Sequence, residues 1–262
     1  QVFAGVGFKV LDNLSIGANI SYIYGDITHS VTTAFSNSSS FSSVRLDKIS
    51  INDYKLDFGL QYSYKFNKKH VLNFGAVYSL GHSVNGKGYK YNQKWLNGAD
   101  YPSTQTGDTI TNAFSLPHTF GAGLTYVYDN RLTIGADFTY QQWEDAKFYN
   151  EKSYFSNRTK IAAGAEFVPN PYSRNYLKRV RYRVGGYYSD PYTKVDGQDG
   201  TREYGVSAGF GFPLFQSKSI LNISGQYVRV SPKVKGMLEE NYLKINIGLT
   251  FNERWFMKWK VD

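Results

Sequence analysis

The chain has 262 residues and no cysteine, with 30 Lys and Arg against 21 Asp and Glu for a net charge of +9. Disulfides, thiol chemistry and Cys-ligated zinc are therefore excluded. No apolar run approaches the roughly 18–20 residues a membrane helix needs, and mean hydropathy is −0.44, so a helical membrane protein is excluded as well.

In chain order, apolar and polar residues alternate with period two almost throughout, the mark of strands with two unlike faces. Val2, Ala4, Val6, Phe8 and Val10 share one parity. Ile16 to Tyr24, Tyr54 to Tyr64 and Leu72 to Tyr78 repeat the pattern. So do Phe120 to Tyr128, and Leu132 to Tyr140 in RLTIGADFTYQQW. Ile161 to Phe167, Val180 to Tyr188, Tyr204 to Phe212, Leu221 to Tyr227 and Leu243 to Phe251 complete eleven strands. No amphipathic helix emerges. The connections alternate strictly. Short ones at 11–14 (LDNL), 67–69 (NKK), 129–130 (DN), 216–218 (QSK) and the somewhat longer 169–178 carry turn-forming residues. Between them lie long polar segments at 28–43, 82–111, 144–157, 189–201 and 231–240.

A soluble sandwich has no reason to sort its connections this way. An outer-membrane barrel does, with short periplasmic turns and long extracellular loops. Strands of roughly 9–11 residues suit a tilted crossing of the bilayer. The fold class expected is all-β, a transmembrane antiparallel β-barrel with the apolar face toward lipid and the polar face toward the lumen. Eleven is odd, whereas single-chain bacterial barrels have even counts. One or three further N-terminal strands are therefore expected, for a barrel of twelve or fourteen. The start at Gln1, without a charged and apolar leader, points to a removed signal peptide or a start within a longer protein.

LPHTFGAGLTYVYDNRLTIGADFTYQQWEDAKF, residues 116–148, resembles the long-chain fatty-acid transporter (FadL-type) family of outer-membrane barrels. Leu116–Pro117, the Asp129–Asn130–Arg131 turn, the Asp137 strand and Trp143 carry the resemblance. Residues 157–192 look like that family's next hairpin. GFGFPLF and the tail FNERWFMKWKVD resemble Bacteroidetes members. The matching segments cover about a third of the chain. The resemblance implies fourteen strands, a plug in the lumen and uptake of hydrophobic molecules. Residues 1–262 are then one barrel domain lacking its plug and first strands, so the family's gating residues have no counterpart here. Some Bacteroidetes relatives are instead barrel subunits of larger secretion or assembly machines.

Chemistry is sparse. His29, His70, His82 and His118 form no metal-binding or hydrolase spacing, so no catalytic residue, metal or cofactor is expected. His82 and His118 flank the longest loop on the outward parity, where they are potential cross-strand neighbours. Charges on the polar parity should face the lumen: Lys55, Asp57, Asp137, Arg158, Lys160, Glu166, Arg181 and Arg183. They make a polar conduit, an anionic-headgroup site built on Arg181 and Arg183 or, more simply, a network of mutual pairs. Glu166 is one turn from both arginines, and Asp137 should find a base on a neighbouring strand or a plug. Inward glycines (Gly121, Gly123, Gly135, Gly164, Gly205, Gly209, Gly211) ease curvature or leave room for a plug or ligand. Tyr62, Tyr64, Tyr126 and Tyr128 toward the short turns, with Tyr22, Tyr24, Tyr140 and Trp143 toward the long loops, match interfacial girdles. Tyr89, Tyr91, Trp95 and Tyr101 are candidate loop contacts.

The functional expectation is passive uptake of hydrophobic molecules such as fatty acids, without enzymatic chemistry. The alternative is a non-transporting barrel subunit of a larger assembly whose long loops dock surface lipoproteins. Expected partners are membrane lipids and lipopolysaccharide, a hydrophobic small molecule, and surface lipoproteins or other outer-membrane proteins. No module for nucleic acid is present.

Overall fold

The computed structural model describes residues 1–37, 40–96, 103–149, 151–195, 197–214, 219–233 and 238–251. Its elements in chain order are β1 (Val2–Leu11), β2 (Leu14–Thr33), β3 (Phe41–Lys65), β4 (His70–Ser79), β5 (His82–Val84), β6 (Gly86–Leu96) and β7 (Ser103–Thr111). There follow β8 (Phe114–Leu116), β9 (Thr119–Tyr128), β10 (Leu132–Gln141), β11 (Arg158–Phe167), β12 (Arg181–Ser189), β13 (Lys194–Val195) and β14 (Gln198–Asp199). β15 (Thr201–Pro213), β16 (Ile220–Pro232) and β17 (Glu240–Thr250) close the chain. Two single 3-10 turns, Trp143–Asp145 and Tyr176–Lys178, are the only helical elements among the described residues.

One antiparallel sheet runs β1-β2-β3-β4-β9-β10-β11-β12-β15-β16-β17. These are the eleven strands of the alternation. Registers carry the parity unbroken across them. Phe138 faces Ala122 on one side and Ile161 on the other, while Asp137 faces Gly123 and Ala162. A one-residue slip would exchange the two faces entirely, so the alternation itself pins the register. The Asp129–Asn130 turn is built for its hairpin. Both residues have positive φ (50° and 52°), the geometry that matches strand twist, and Arg131 N donates to the Tyr128 carbonyl at 2.8 Å.

The sheet has no soluble-type core. Its apolar parity stays open, with Leu243, Ile245 and Ile247 at 75%, 71% and 73% exposure and Val184 and Val206 also exposed. The buried apolar residues instead lie mostly at the two ends, among them Ile49, Val84, Ala113, Tyr149 and Val180. A wall whose apolar face meets no protein suits lipid as its solvent.

The long segments are not plain loops. β2 and β3 pair continuously from Leu14↔Tyr62 to Thr33↔Ser43, so most of segment 28–43 is hairpin. Within 82–111, β6 adds to the outer half of β3 and β7 adds to β6, while β5 pairs with β8. With 20 and 25 residues, β2 and β3 exceed the roughly 9–11 a crossing needs. Their surplus of ten or more residues projects about 30 Å past the wall at ~3.3 Å per residue.

Candidate functional site

The polar face of the wall carries three charge clusters. Lys55 and Asp57, two apart on β3, share that face and pair directly, and Ser79 on the adjacent β4 also donates to Asp57. On β11 and β12, Glu166 takes Arg181 Nη1 on Oε1 at 2.9 Å and Arg183 Nε on Oε2 at 2.6 Å. Arg183 Nη1 goes on to Asn222 Oδ1 at 2.7 Å, and Asn222 Nδ2 donates to Thr250 Oγ1 at 3.2 Å. One carboxylate thus holds two guanidiniums, and the chain of contacts ties β11, β12, β16 and β17 together. Third, Lys160 Nζ lies 5.2 Å from the Tyr187 ring centre, and the Tyr187 hydroxyl donates to Glu203. Arg158 stands near the long-loop end, donating to Ser189 Oγ at 2.8 Å and lying 5.5 Å over Tyr192.

Asp137 differs from the rest. No base reaches it among the described residues. Its carboxylate leans over Gly123, where a Cβ would meet Oδ1 at 2.4 Å. The expected neighbouring-strand base is missing because its register partners, Gly123 and Ala162, carry no charge. It lines a shallow hollow of about 290 Å³ with Gln61, Asn73, Val77, Thr125, Phe138 and Thr139. The larger apolar hollow, about 650 Å³, is bordered by Val6, Phe8, Ala18, Phe58, Tyr78 and Phe120, all of the apolar parity.

Aromatic side chains collect at the strand ends. Toward the short turns, His70 Nδ1 and the Tyr126 hydroxyl are 2.6 Å apart, Tyr128 packs on His70, and Tyr64 meets Phe66 edge-on. Tyr62 lies one row inward, opposite Leu14 and Phe74. Toward the long loops, Tyr22 and Tyr24 have ring centres 5.7 Å apart, and Tyr140 faces Phe120. Trp143 leaves this belt. Alternation ends at Gln141, and the following 3-10 turn carries the indole into a cluster with Phe155 (5.2 Å) and Tyr192 (5.1 Å). Its Nε1 donates to Gln141 Oε1 at 3.2 Å. Trp143 thus packs with the loop aromatics beyond the strand end.

Above the wall, Ile49 of β3, Ala113 and Tyr149 form a small buried core, joined by Ile51, Ile110, Phe114 and Phe148. Gly88 makes it possible, since a Cβ there would sit 2.7 Å from Ala113 Cβ and 3.0 Å from the Tyr149 ring. Lys90 Nζ lies 4.7 Å from the centre of that ring. Burial, and then the Asp47 charge, push the Tyr149 phenol above its ordinary range. Tyr89 and Tyr91 lie on β6 opposite Lys48 and Leu46. The Trp95 side chain and all of Tyr101 lie outside the described residues. His82 and His118 go to different partners: His82 stacks on Tyr54 with Nε2 3.5 Å from Asp53 Oδ2, whereas His118 Nδ1 is 2.8 Å from the Tyr78 hydroxyl. Sequence reading missed Tyr187, Ser189, Tyr192, Asn222 and the Tyr149 core, because each acts through a neighbour that only the register brings near.

The family model for BamG matches residues 1–262, the full length of the chain. The chain belongs to the BamG family. A comparison with curated proteins finds no match. Among solved structures, a Pseudomonas aeruginosa FadL homologue is similar at TM-score 0.54 and 16% identity, over 94% of this chain and 64% of that one. The Ralstonia pickettii toluene transporter TbuX is similar at 0.55 and 13%, over 87% and 63%. The RagAB peptide importer follows at 0.53 and 11%, over 94% and 33%. This chain therefore spans under two thirds of each. At these identities the likeness is one of fold: a FadL-type antiparallel barrel wall.

Proposed function

We propose that this member of the BamG family is a barrel subunit of a larger outer-membrane assembly and performs no chemistry. The observation that carries this reading is the projection built from the outer parts of β2 and β3 with β6 and β7. It is a sheet with its own core at Ile49, Ala113 and Tyr149, standing about 30 Å beyond the crossing segments. A conduit needs no such platform, whereas a subunit that docks surface lipoproteins or other outer-membrane proteins does. The inner wall supports the same reading: several of its charges are spent on one another, in Lys55–Asp57 and in Glu166 with Arg181 and Arg183. Lipids and lipopolysaccharide surround the wall. The test is extraction of the native full-length protein in mild detergent. A stable complex should come with it, and trimming the projection to the membrane edge should release partners while leaving the barrel inserted. A protein that runs alone defeats this reading.

A second reading, passive uptake of hydrophobic molecules such as fatty acids, is favoured by the fold shared with the FadL homologue and with TbuX, a toluene transporter. It requires a lipid-like ligand inside the barrel and a fall in labelled fatty-acid uptake when the gene is deleted.

A further inference from the structure

The short-turn end is charged unlike the rest of the molecule. Its turns hold Lys65, Lys68 and Lys69 between β3 and β4, and Arg174, Lys178 and Arg179 between β11 and β12. Among the described residues of these turns the acids are already engaged, Asp12 with Lys9 at 3.0 Å and Asp129 with Arg131 at 3.4 Å. Among the described residues Lys65, Lys68, Lys69, Arg174 and Lys178 meet no carboxylate within 4.0 Å. At the opposite end acids and bases answer each other, as in Lys48–Asp26, Arg229–Glu239 and Lys233–Asp199.

The basic turns form one continuous rim. Asp129 N donates to the Lys69 carbonyl at 2.7 Å, and Val168 N donates to the Arg131 carbonyl at 2.7 Å, so three successive turns are stitched together. From β3 to β12 the rim spans five strand spacings, about 24 Å, enough for one side of an ordinary protein interface. At its β11–β12 end stands a knob, residues 169–178, fixed by its own hydrogen bonds. Asn170 Oδ1 accepts from Tyr172 N, Asn175 Oδ1 from Leu177 N, and Asn170 N donates to the Lys178 carbonyl. Its tip holds Tyr172 and Leu177 out at 90% and 65% exposure. A lipid headgroup layer asks only for charge. A rigid turn presenting an aromatic and a leucine beside a row of cations suits a folded partner, because preorganised aromatic anchors carry interface energy.

We infer that this rim is a docking surface for an acidic folded protein on the periplasmic side, with Tyr172 as its anchor and the lysines and arginines as its steering field. The test places a photoreactive phenylalanine at position 172 of the full-length protein in its own outer membrane. A protein adduct should form and should fall at least tenfold when Lys68, Lys69 and Arg174 are all changed to Glu. Changing the three to Gln should give an intermediate loss, and heat-modifiable migration on gels checks that each variant is folded. The adducted protein, repurified, should be acidic. It should bind the barrel in zwitterionic nanodiscs about tenfold more weakly at 300 mM than at 50 mM salt, and more weakly still with Tyr172→Ala. Adducts to lipid alone, no adduct, or a protein adduct indifferent to charge reversal and salt would each overturn the inference.

Discussion

Replacing Glu166 by Gln removes the carboxylate that holds both Arg181 and Arg183 and leaves two guanidiniums side by side on one face. Hydrogen bonds to charged groups contribute about 1.5–3 kcal/mol each when sheltered. Here the carboxylate side chain is 25% exposed and the arginines about 40%, so lumen water screens part of that. Gln keeps one acceptor, and Arg183 keeps Asn222. The net loss should be about 1–2 kcal/mol, below the 3–5 kcal/mol of a fully buried broken pair. Urea titration of the full-length protein in phospholipid vesicles reads it as a lower midpoint at unchanged slope. A double-mutant cycle with Arg183→Gln should give a coupling of roughly 1 kcal/mol. If Glu166→Gln stays within about 0.3 kcal/mol of the parent and the coupling vanishes, the pairs hold nothing together. The arginines would then be free for an anionic ligand.

Gly88→Ala forces a methyl against Ala113 and Tyr149 and should cost about 1–3 kcal/mol of overpacking. Hydrogen exchange should quicken in residues 144–155 and leave the wall unchanged. Trp143→Ala should likewise loosen the loops, and a single-Trp variant retaining Trp143 should resist quenching by brominated acyl chains. Strong quenching would restore it to the membrane edge. The Lys233 ammonium beside Asp199 holds that carboxyl below its ordinary value of 3.8. The folded pKa is depressed, so the tie's contribution is fully present above that ordinary value. It is lost as pH falls below 3.8 through the lowered one. Exchange protection of the residues around 199 and 233 should therefore hold at pH 5 and fade only in more acid solution.

The wall was legible in the sequence because its signal is local. Lipid on one side and a polar lumen on the other impose period two on every crossing, and Asp129–Asn130 names its own turn. The projection was not legible, because past the membrane no contrast of lipid and lumen imposes alternation on β6 and β7. GKGYKYNQKWL then has no binary pattern to read, and backbone pairing alone sets its register. The contacts of Trp143 with Phe155 and Tyr192 were hidden for a related reason, since parity says nothing beyond Gln141. Glu166 was within sight of its arginines, one connection away in the chain. Arg158 with Tyr192 and Lys160 with Tyr187 depend on registers across β11 and β12 that spacing does not supply.

The central claim is that even-numbered residues of β10 face lipid and odd-numbered ones face the lumen. Spin labels placed singly along residues 132–141 of the full-length protein in vesicles test it most directly. Labels at 132, 134, 136 and 138 should be relaxed by oxygen dissolved in the bilayer, and those at 133, 135, 137 and 139 by a water-soluble nickel chelate. A flat profile, or alternation in the opposite phase, would contradict the account.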